Sequence, residues 1–264
     1  MCLMEIIEVN YKDNNYKNAE YIDINNILDD KKNYLIEVDY QIEIIYINDF
    51  FTDKKKIILD ENFYELLKKH KNESQTRGDI AGKIESNKLK GKYKELLKDV
   101  KGFNKSGSRT KKDENNKFEW CNPVNSRVVK PDTPFYNKYE KEYTRYIKPI
   151  MKEIEKELHH YIFLPKLKDG FFNCYYNNII FNRGLRSAIH KDARNKFKYS
   201  ALCCFSDNPN FKYSILAIPD LNIGFKMKNN KSLLIFNSVD LRHSNNHINP
   251  DFLNDRYSVV FYRK

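Results

Sequence analysis

The chain has 264 residues, 41% of them hydrophobic and 14% aromatic, which is enough to bury one sizeable core. The first residues, MCLMEIIEVNY, have neither a basic leader nor a long apolar run, so we expect no secretory signal and no membrane-spanning segment. The five cysteines are odd in number and include no CxxC pair. This pattern favours buried thiols in a reducing compartment, cytoplasmic or nuclear, over disulfides or structural zinc.

The net charge of +11 is unevenly distributed along the chain. Residues 1–50 carry a net charge of −7, whereas residues 101–264 carry +14. This segregation favours a nucleic-acid partner for the C-terminal part, because clustered lysine and arginine attract phosphate. The alternative is that the lysines are solvated surface residues of a lysine- and asparagine-rich protein and have no partner.

Residues 1–75 predict a small α+β elaboration, and residues 76–264 predict the main domain. Short apolar runs, the clearest at 34–47, alternate with acidic turns, and a helical pattern follows at 61–70. A second helical pattern at 88–100 leads into a polar, basic run at 101–117, which is long enough to be either disordered or a binding element. Candidate phosphate contacts in this run are Arg109, Lys111 and Lys112. The single tryptophan, Trp120, is interpreted as a core or lid anchor, with base stacking as the alternative.

The clearest helix is predicted at 135–160, and Pro149 predicts a kink or a break within it. The pair His159-His160 at its end suits the carbonyl end of a helix better than a metal site. Beyond Gly170 the helical periodicity disappears, and short strands are predicted at 171–181, 186–191, 199–205, 213–218, 223–228, 232–236, 240–243 and 256–262. The predicted fold class is therefore mainly β with flanking helices (α+β), and its core at about 170–264 is a double-stranded β-helix, a jelly-roll of two facing sheets.

Two histidines and a carboxylate occur at spacings typical of a metal site. His190 and Asp192, in HKDARN, are two residues apart, so on a strand both side chains would point to the same face. His243 follows an apolar run that predicts a buried strand, and we prefer it as the third ligand to His247, which lies in an Asn-rich stretch that predicts a loop. Two histidines and one carboxylate on one face of the metal are typical of non-haem iron(II) oxygenases.

The closing segment RYSVVFY, residues 256–262, alternates so that Arg256, Ser258, Val260 and Tyr262 share one face of a strand. An arginine within an apolar strand is costly unless an anion neutralises it. A planar guanidinium pairs with a carboxylate through two hydrogen bonds, and a neighbouring hydroxyl adds one donor. This combination suits the distal carboxylate of 2-oxoglutarate, and the alternative is a surface ion pair on an edge strand.

Together these segments resemble the TET/JBP family of iron(II)- and 2-oxoglutarate-dependent dioxygenases, which oxidise the methyl group of 5-methylpyrimidines in nucleic acid. The resemblance is carried by NRGLRSAIHKDARN at 182–195, Arg-His at 242–243 and RYSVVFY at 256–262, and it covers the chain from about 171 to 264. It implies Fe(II), 2-oxoglutarate and O2 as cofactors and cosubstrates, and DNA rather than RNA as the substrate. It also implies the following roles: iron ligands His190, Asp192 and His243; 2-oxoglutarate contacts Arg256, Ser258 and Asn182; base contacts Asn195 and Tyr262.

The sequence also departs from the animal members of that family, because it contains no cysteine-rich zinc module and no glycine-rich insert in the barrel. A minimal enzyme of the viral, phage or protist type is therefore expected. Three other functions stay open. An AlkB-like demethylase would remove alkyl groups from base nitrogens. A protein or small-molecule hydroxylase of the same fold would lack salt-sensitive affinity for nucleic acid. A non-catalytic module would bind nucleic acid without turning over 2-oxoglutarate.

Overall fold

The structure is a computed structural model. It describes residues 4–11, 24, 26–29, 31–52, 55, 57–69, 83–85, 117–119, 126–131, 133–164, 170–183, 189–192, 195–247 and 255–264. The helix predicted at 88–100, the candidate phosphate contacts Arg109, Lys111 and Lys112, Trp120 and the predicted boundary at residue 75 lie outside these residues. Within the described ranges, no helix is both long enough and apolar enough to cross a membrane.

The helices of the described residues are α1 (Glu61–Lys69), α2 (Pro134–Lys138), α3 (Glu140–Glu142) and α4 (Lys148–Tyr161). The strands are β1 (Met4–Glu8), β2 (Asn33–Val38), β3 (Gln41–Ile47), β4 (Lys83–Glu85), β5 (Lys117–Glu119), β6 (Ser126–Val129), β7 (Asn178–Arg183), β8 (Tyr199–Phe205), β9 (Tyr213–Ile218), β10 (Ile223–Lys228), β11 (Leu233–Asn237), β12 (Ser244–His247) and β13 (Tyr257–Tyr262). Two 3-10 turns, Phe171–Asn173 and Pro219–Leu221, lie before β7 and between β9 and β10.

The helix predicted at 135–160 is irregular where the sequence contains Pro149. A π-helical turn, Tyr143–Ile147, joins α3 to α4, and Pro149 occupies the first turn of α4. Because proline has no N–H and its ring crowds the preceding turn, the regular bonding pattern is interrupted there, and the wider turn absorbs the interruption. The pair His159-His160 lies in the last turn of α4, exposed.

Two facing sheets form the core. The large sheet has the strand order β1-β2-β3-β11-β8-β13-β7-β6, and the small sheet has the order β10-β9-β12. From β8 onward the chain alternates between them: β9 and β10 lie in the small sheet, β11 in the large, β12 in the small and β13 in the large. An antiparallel bridge between His190 and His243 adds residue 190 beside the start of β12. This alternation is a double-stranded β-helix, so the predicted fold class is confirmed.

The centre of the large sheet packs on both faces because its strands are largely apolar there, and β8 is buried at each of its seven residues. Alternate residues of a strand point to opposite faces. Leu202 and Leu234 accordingly pack against Leu216 and Phe225 of the small sheet, in the space between the sheets. The neighbouring residues on each strand point to the other face and pack against the helices. They form a cluster that includes Ala201, Cys203 and Ile235 with Phe63 of α1 and Met151 of α4.

The apolar run at 34–47 forms the hairpin of β2 and β3, which extends the large sheet through the pairing of β3 with β11. The hairpin turns at Asp39 and Tyr40, which have φ values of 50° and 61° and allow a tight turn that matches the strand twist. The helix predicted at 61–70 is α1. The described part of residues 1–75 therefore continues the barrel sheet, and its separation as an elaboration of its own stays a prediction.

The strands predicted at 199–205, 213–218 and 223–228 are confirmed to the residue, β13 begins one residue later than predicted, and β11 is displaced by one residue at both ends. Three predictions are corrected. The strand predicted at 171–181 begins only at Asn178, because a tight turn occupies 170–174. The strand predicted at 186–191 is reduced, among described residues, to the bridge at His190. The strand predicted at 240–243 is a turn held by Asn237, whose Oδ1 accepts from the Asp240 N–H, and the strand is β12.

Candidate metal centre

His190, Asp192 and His243 come together at one end of the space between the two sheets. One potential ligand atom from each residue lies within 4.8 Å of those of the other two. The Nε2 of His243 is 3.9 Å from the Oδ2 of Asp192, and the two imidazole rings have centroids 4.2 Å apart. Two nitrogens and one carboxylate oxygen this close could hold a single metal ion on one face.

Backbone hydrogen bonds hold this group in place. The His190 N–H donates to the His243 carbonyl at 3.1 Å, and the His243 N–H donates back at 2.9 Å. Asp192 has left the strand, and its N–H donates to the carbonyl of Ser238 at 2.8 Å. The expectation that His190 and Asp192 share one face of a strand is therefore wrong in its detail, since only His190 is in a bridge, yet both side chains reach the same site.

His243 is held as a neutral imidazole with one nitrogen directed at the group. Its Nδ1 lies 3.1 Å from the carbonyl oxygen of Leu241, which can only accept, so Nδ1 carries the proton. The unprotonated Nε2 is then the atom facing Asp192. Burial, with the neighbouring His190 as a second cause, lowers the pKa of His243 to about 4. A neutral imidazole whose tautomer is set by a carbonyl is the form that binds metals.

The alternative ligand, His247, is four residues farther along, at the other end of β12. Its Cα pairs with Ile215 on β9, whereas Ser244, beside His243, pairs with Ala217. Four residues of strand span roughly 13 Å. The prediction of a loop at His247 is corrected, because its backbone belongs to the strand. The group of three in the described residues contains His243.

An ion pair that the sequence did not reveal fixes the residue before His243. Asp220, in the turn between β9 and β10, accepts from the Arg242 backbone N–H at 2.7 Å and from the Arg242 Nε at 2.6 Å. The side chains are only 8% and 18% exposed. The Phe236 ring lies edge-on to the His243 imidazole at 4.9 Å. Pro-Asp is a turn-forming dipeptide and lies between two predicted strands, but nothing in the local sequence predicts a partner 22 residues away.

A second polar group lies deeper between the sheets. Arg256, immediately before β13, is fully buried and donates from Nε to the Oγ of Ser214 on β9 at 3.0 Å. Ser258 is also buried, and its Oγ accepts from the Nδ2 of Asn182 on β7 at 3.3 Å. The structure thus brings the predicted residues Asn182 and Ser258 into contact and adds Ser214, which the sequence analysis missed.

The spacing between the two groups follows from strand register. Ser244, next to His243, pairs with Ala217, and Ser214 is three residues before Ala217 on the same strand. Three residues of strand correspond to about 10 Å. Ser214, Leu216 and Ile218 alternate onto one face, and the latter two pack in the cluster between the sheets. Ser214, which accepts from the guanidinium of Arg256, therefore lies about 10 Å deeper in the barrel along β9 than the position that is level with His243.

The two predicted base contacts lie at the metal end of the barrel. Asn195 is half-buried, and its Nδ2 donates to the Oγ of Ser200 at 3.3 Å and of Ser238 at 3.2 Å. Its N–H donates to the Asp192 carbonyl at 2.9 Å. Tyr262 is buried at the end of β13, opposite Asn178. These contacts give Asn195 a structural role in the loop that carries Asp192, and its contact with a base stays a prediction.

The three cysteines among the described residues, Cys174, Cys203 and Cys204, are free and buried, as predicted. Burial raises the pKa of the Cys174 thiol to about 12. That of Cys203 is raised well above its ordinary value for the same reason. The thiols of Cys174 and Cys203 are therefore neutral and contribute to packing rather than to chemistry.

No family model matches the chain, and no curated protein gives a significant match. Among solved structures, the chain is similar to NgTET1 in complex with 5mC DNA, with 14% identity, a TM-score of 0.42, and coverage of 98% of this chain and 81% of that one. It is similar to a prolyl-4-hydroxylase from Pseudomonas putida, with 11% identity, a TM-score of 0.39 and coverage of 84% and 93%. It is also similar to OsALKBH1, with 12% identity, a TM-score of 0.43 and coverage of 84% and 99%. These similarities are too low to assign a function, which therefore has to be argued from the residues of the site.

Proposed function

We propose that this chain is an Fe(II)- and 2-oxoglutarate-dependent dioxygenase that oxidises the methyl group of a 5-methylpyrimidine in nucleic acid. The observation that carries the proposal is the group of His190, Asp192 and His243 within one double-stranded β-helix that also buries Arg256. The donor set fits iron(II), because two imidazoles and one carboxylate leave the opposite side of the metal open. The Nδ1–H of His243 on the Leu241 carbonyl keeps Nε2 available for the metal.

Arg256 and its neighbours fit the cosubstrate. A guanidinium is costly to bury, and a carboxylate that accepts from it would offset the cost. The separation of about 10 Å between the level of His243 and that of Ser214 leaves room for a five-carbon dicarboxylate with one end at the metal and the other at Arg256. In this role Arg256 binds the distal carboxylate, and Ser258 and Asn182 orient it through hydrogen bonds.

The chemistry belongs to the bound group, and the protein positions the reacting atoms. Iron(II), with O2 and 2-oxoglutarate, supplies an oxidation in which one oxygen atom enters a methyl C–H bond and the other enters succinate as 2-oxoglutarate loses CO2. The apolar side chains between the sheets, among them Leu202, Leu216 and Phe225, would limit the access of water to this space. His243 stays neutral, so its proton remains on Nδ1.

A nucleic-acid substrate is supported by charge and by motif, and DNA rather than RNA by the motif resemblance alone. Residues 101–264 carry a net charge of +14. The motifs at 182–195 and 256–262 resemble those of the TET/JBP family, and two residues carried over from it, Asn195 and Tyr262, lie at the metal end of the barrel. Within a duplex, the methyl-bearing base would have to leave the stack to reach a metal between two sheets.

The decisive experiment is mass spectrometry of nucleosides after incubation with iron(II), 2-oxoglutarate and oxygen. The substrates are DNA and RNA oligonucleotides that contain 5-methylcytosine, thymine or 5-methyluridine, or an N-methylated base. We expect a hydroxymethyl base and succinate in comparable amounts, and neither product with His243→Ala. Loss of N-methyl groups instead would identify a demethylase. Succinate without any change in nucleic acid would indicate a hydroxylase with another substrate, and failure to bind iron would exclude the whole class.

A further inference from the structure

Basic side chains collect at one end of the large sheet, on adjacent strand ends. β6 ends at Val129 and is followed by Lys130, β13 ends at Tyr262 and is followed by Arg263 and Lys264, and Lys196 lies just before β8. The Lys196 N–H donates to the Arg263 carbonyl at 3.1 Å. Antiparallel pairing of β6, β7, β13 and β8 brings these ends together. We call Lys130, Lys196, Arg263 and Lys264 the basic rim.

The basic rim is at the metal end of the barrel. Asp192 is four residues before Lys196, and the Asn195 N–H between them donates to the Asp192 carbonyl. Lys130, Lys196 and Lys264 are exposed, so their ammonium groups are available to a partner. Arg263 is half-buried, and its Nη1 donates to the Tyr175 carbonyl at 2.8 Å, which fixes the chain at the centre of the rim.

Basic residues outnumber acidic ones in the described part of this half of the sheet end. The segments 126–131, 195–199 and 262–264 contain lysine and arginine but no aspartate or glutamate, while Glu155 of α4 accepts from the Tyr175 N–H of the neighbouring segment at 3.0 Å. The other half, formed by the ends of β1 and β2 and the turn into β3, contains Glu8, Glu37, Asp39 and Glu43. Lys198 stands at the border and is paired with Glu43 at 3.2 Å. The metal end of the barrel thus has a basic side and an acidic side.

We propose that the basic rim binds the phosphate backbone of the nucleic acid and leads the strand to the metal across the ends of β13, β7 and β6. This inference rests on the proposed function, because it assumes a nucleic-acid substrate. An anionic polymer is attracted by the rim and repelled by the acidic side, so the charge separation selects one direction of approach. Solvated lysines without a partner would not need to be separated from the acidic residues in this way.

The test measures affinity of the full chain for a fluorescently labelled DNA duplex containing 5-methylcytosine, by anisotropy across a salt series without 2-oxoglutarate. The rim variant is Lys196→Glu with Lys264→Glu. The matched control is Lys212→Glu with Lys231→Glu, since both of these lysines are exposed, lie at the opposite end of the sheets, and give the same change of net charge. A milder pair, Lys196→Gln with Lys264→Gln, serves if the charge reversal disturbs folding, which thermal unfolding reports.

We expect the rim variant to bind about tenfold more weakly, with the slope of log affinity against log salt reduced by about 2, because two phosphate contacts are lost. The control should change affinity by less than about threefold, as expected from long-range charge alone. Equal losses in rim and control variants would overturn the proposal in favour of general attraction. Unchanged binding by both would overturn it while leaving the nucleic-acid substrate in place. No binding by the unmodified protein would overturn the rim together with the proposed substrate.

Discussion

Asp220→Asn is the substitution that best separates positioning of the metal group from ordinary stability. The carboxylate of Asp220 accepts three times from Arg242, through the backbone N–H at 2.7 Å, through Nε at 2.6 Å and through Nη2 at 2.5 Å. Arg242 immediately precedes His243. An asparagine has nearly the same shape and keeps one oxygen acceptor, so the substitution removes the charge while disturbing packing little.

The expected loss of stability follows from burial. With side chains only 8% and 18% exposed, the pair is largely removed from water. Removing one partner of a buried pair costs about 3–5 kcal/mol, since the other charge is left uncompensated. The partial exposure of Arg242 allows some rehydration, so we expect a value near the lower end, about 3 kcal/mol. The chain that carries His243 also loses its anchor, and metal affinity should fall by roughly 10- to 100-fold.

Chemical denaturation measures the first effect, and titration with Co(II), followed by its absorption spectrum, measures the second. The matched control is Asp60→Asn. Asp60 also pairs with an arginine, Arg145, at 3.0 Å, and accepts from the Phe63 N–H at the start of α1. It lies on the helical side of the large sheet. Asp60 also accepts from the Tyr146 hydroxyl at 3.3 Å, so loss of this partly exposed pair, the cap and that bond should cost about 1–2 kcal/mol and leave Co(II) affinity unchanged. If Asp220→Asn lowers stability but binds Co(II) like the unmodified protein, the positioning argument is refuted.

Three further results are expected. His243→Ala should abolish Co(II) binding, whereas His247→Ala should retain most of it; the reverse result would mean that the third ligand is misassigned. Arg256→Met should raise the Michaelis constant for 2-oxoglutarate steeply, because an unpaired buried carboxylate costs about 2–5 kcal/mol, while Co(II) binding persists; an unchanged constant would remove the anchor role. Asn195→Ala should depress oxidation of the methylated base while substrate-free 2-oxoglutarate turnover survives; parallel loss of both would show that Asn195 instead supports the loop of Asp192.

The strands that the sequence predicted well are those whose signals are local. β8, β9 and β10 are short, largely apolar segments separated by turn-forming residues, so both ends could be located without knowledge of the fold. The start of β7 could not be located in this way. The segment at 171–173 is apolar enough to suggest a strand, but Phe172 and Asn173 have positive φ. Gly170 lies so close to the Cys174 carbonyl that a Cβ there would be 1.6 Å from its oxygen. The turn is closed by local bonds such as that from the Phe171 N–H to the Tyr176 carbonyl, at 2.9 Å, and it is joined to α4 by Glu155, whose Oε1 accepts from the Tyr175 N–H at 3.0 Å.

The hydrogen-bond and ion-pair partners of the functional residues could not be predicted from local sequence either. Arg256 was recognised as an unusual charge within an apolar strand, yet its partner Ser214 is 42 residues away and on the opposite sheet. The link from Asp220 to Arg242 likewise joins a turn to the approach of a strand. A sequence shows which side chains need a partner, because their burial is costly, but only the topology determines which partner is within reach.

The candidate metal group illustrates why such sites lie where regular structure stops. Alternation along a strand predicted correctly that His190 and Asp192 belong together, but for a reason that the structure does not share. His190 and His243 make a single bridge, and Asp192 is turned toward them by the Ser238 carbonyl. A metal that must keep one side open cannot be enclosed by continuous strand pairing on every side. Ligands at the last bridge and in the following loop therefore combine rigid anchoring with access, which is the arrangement that an incoming substrate requires.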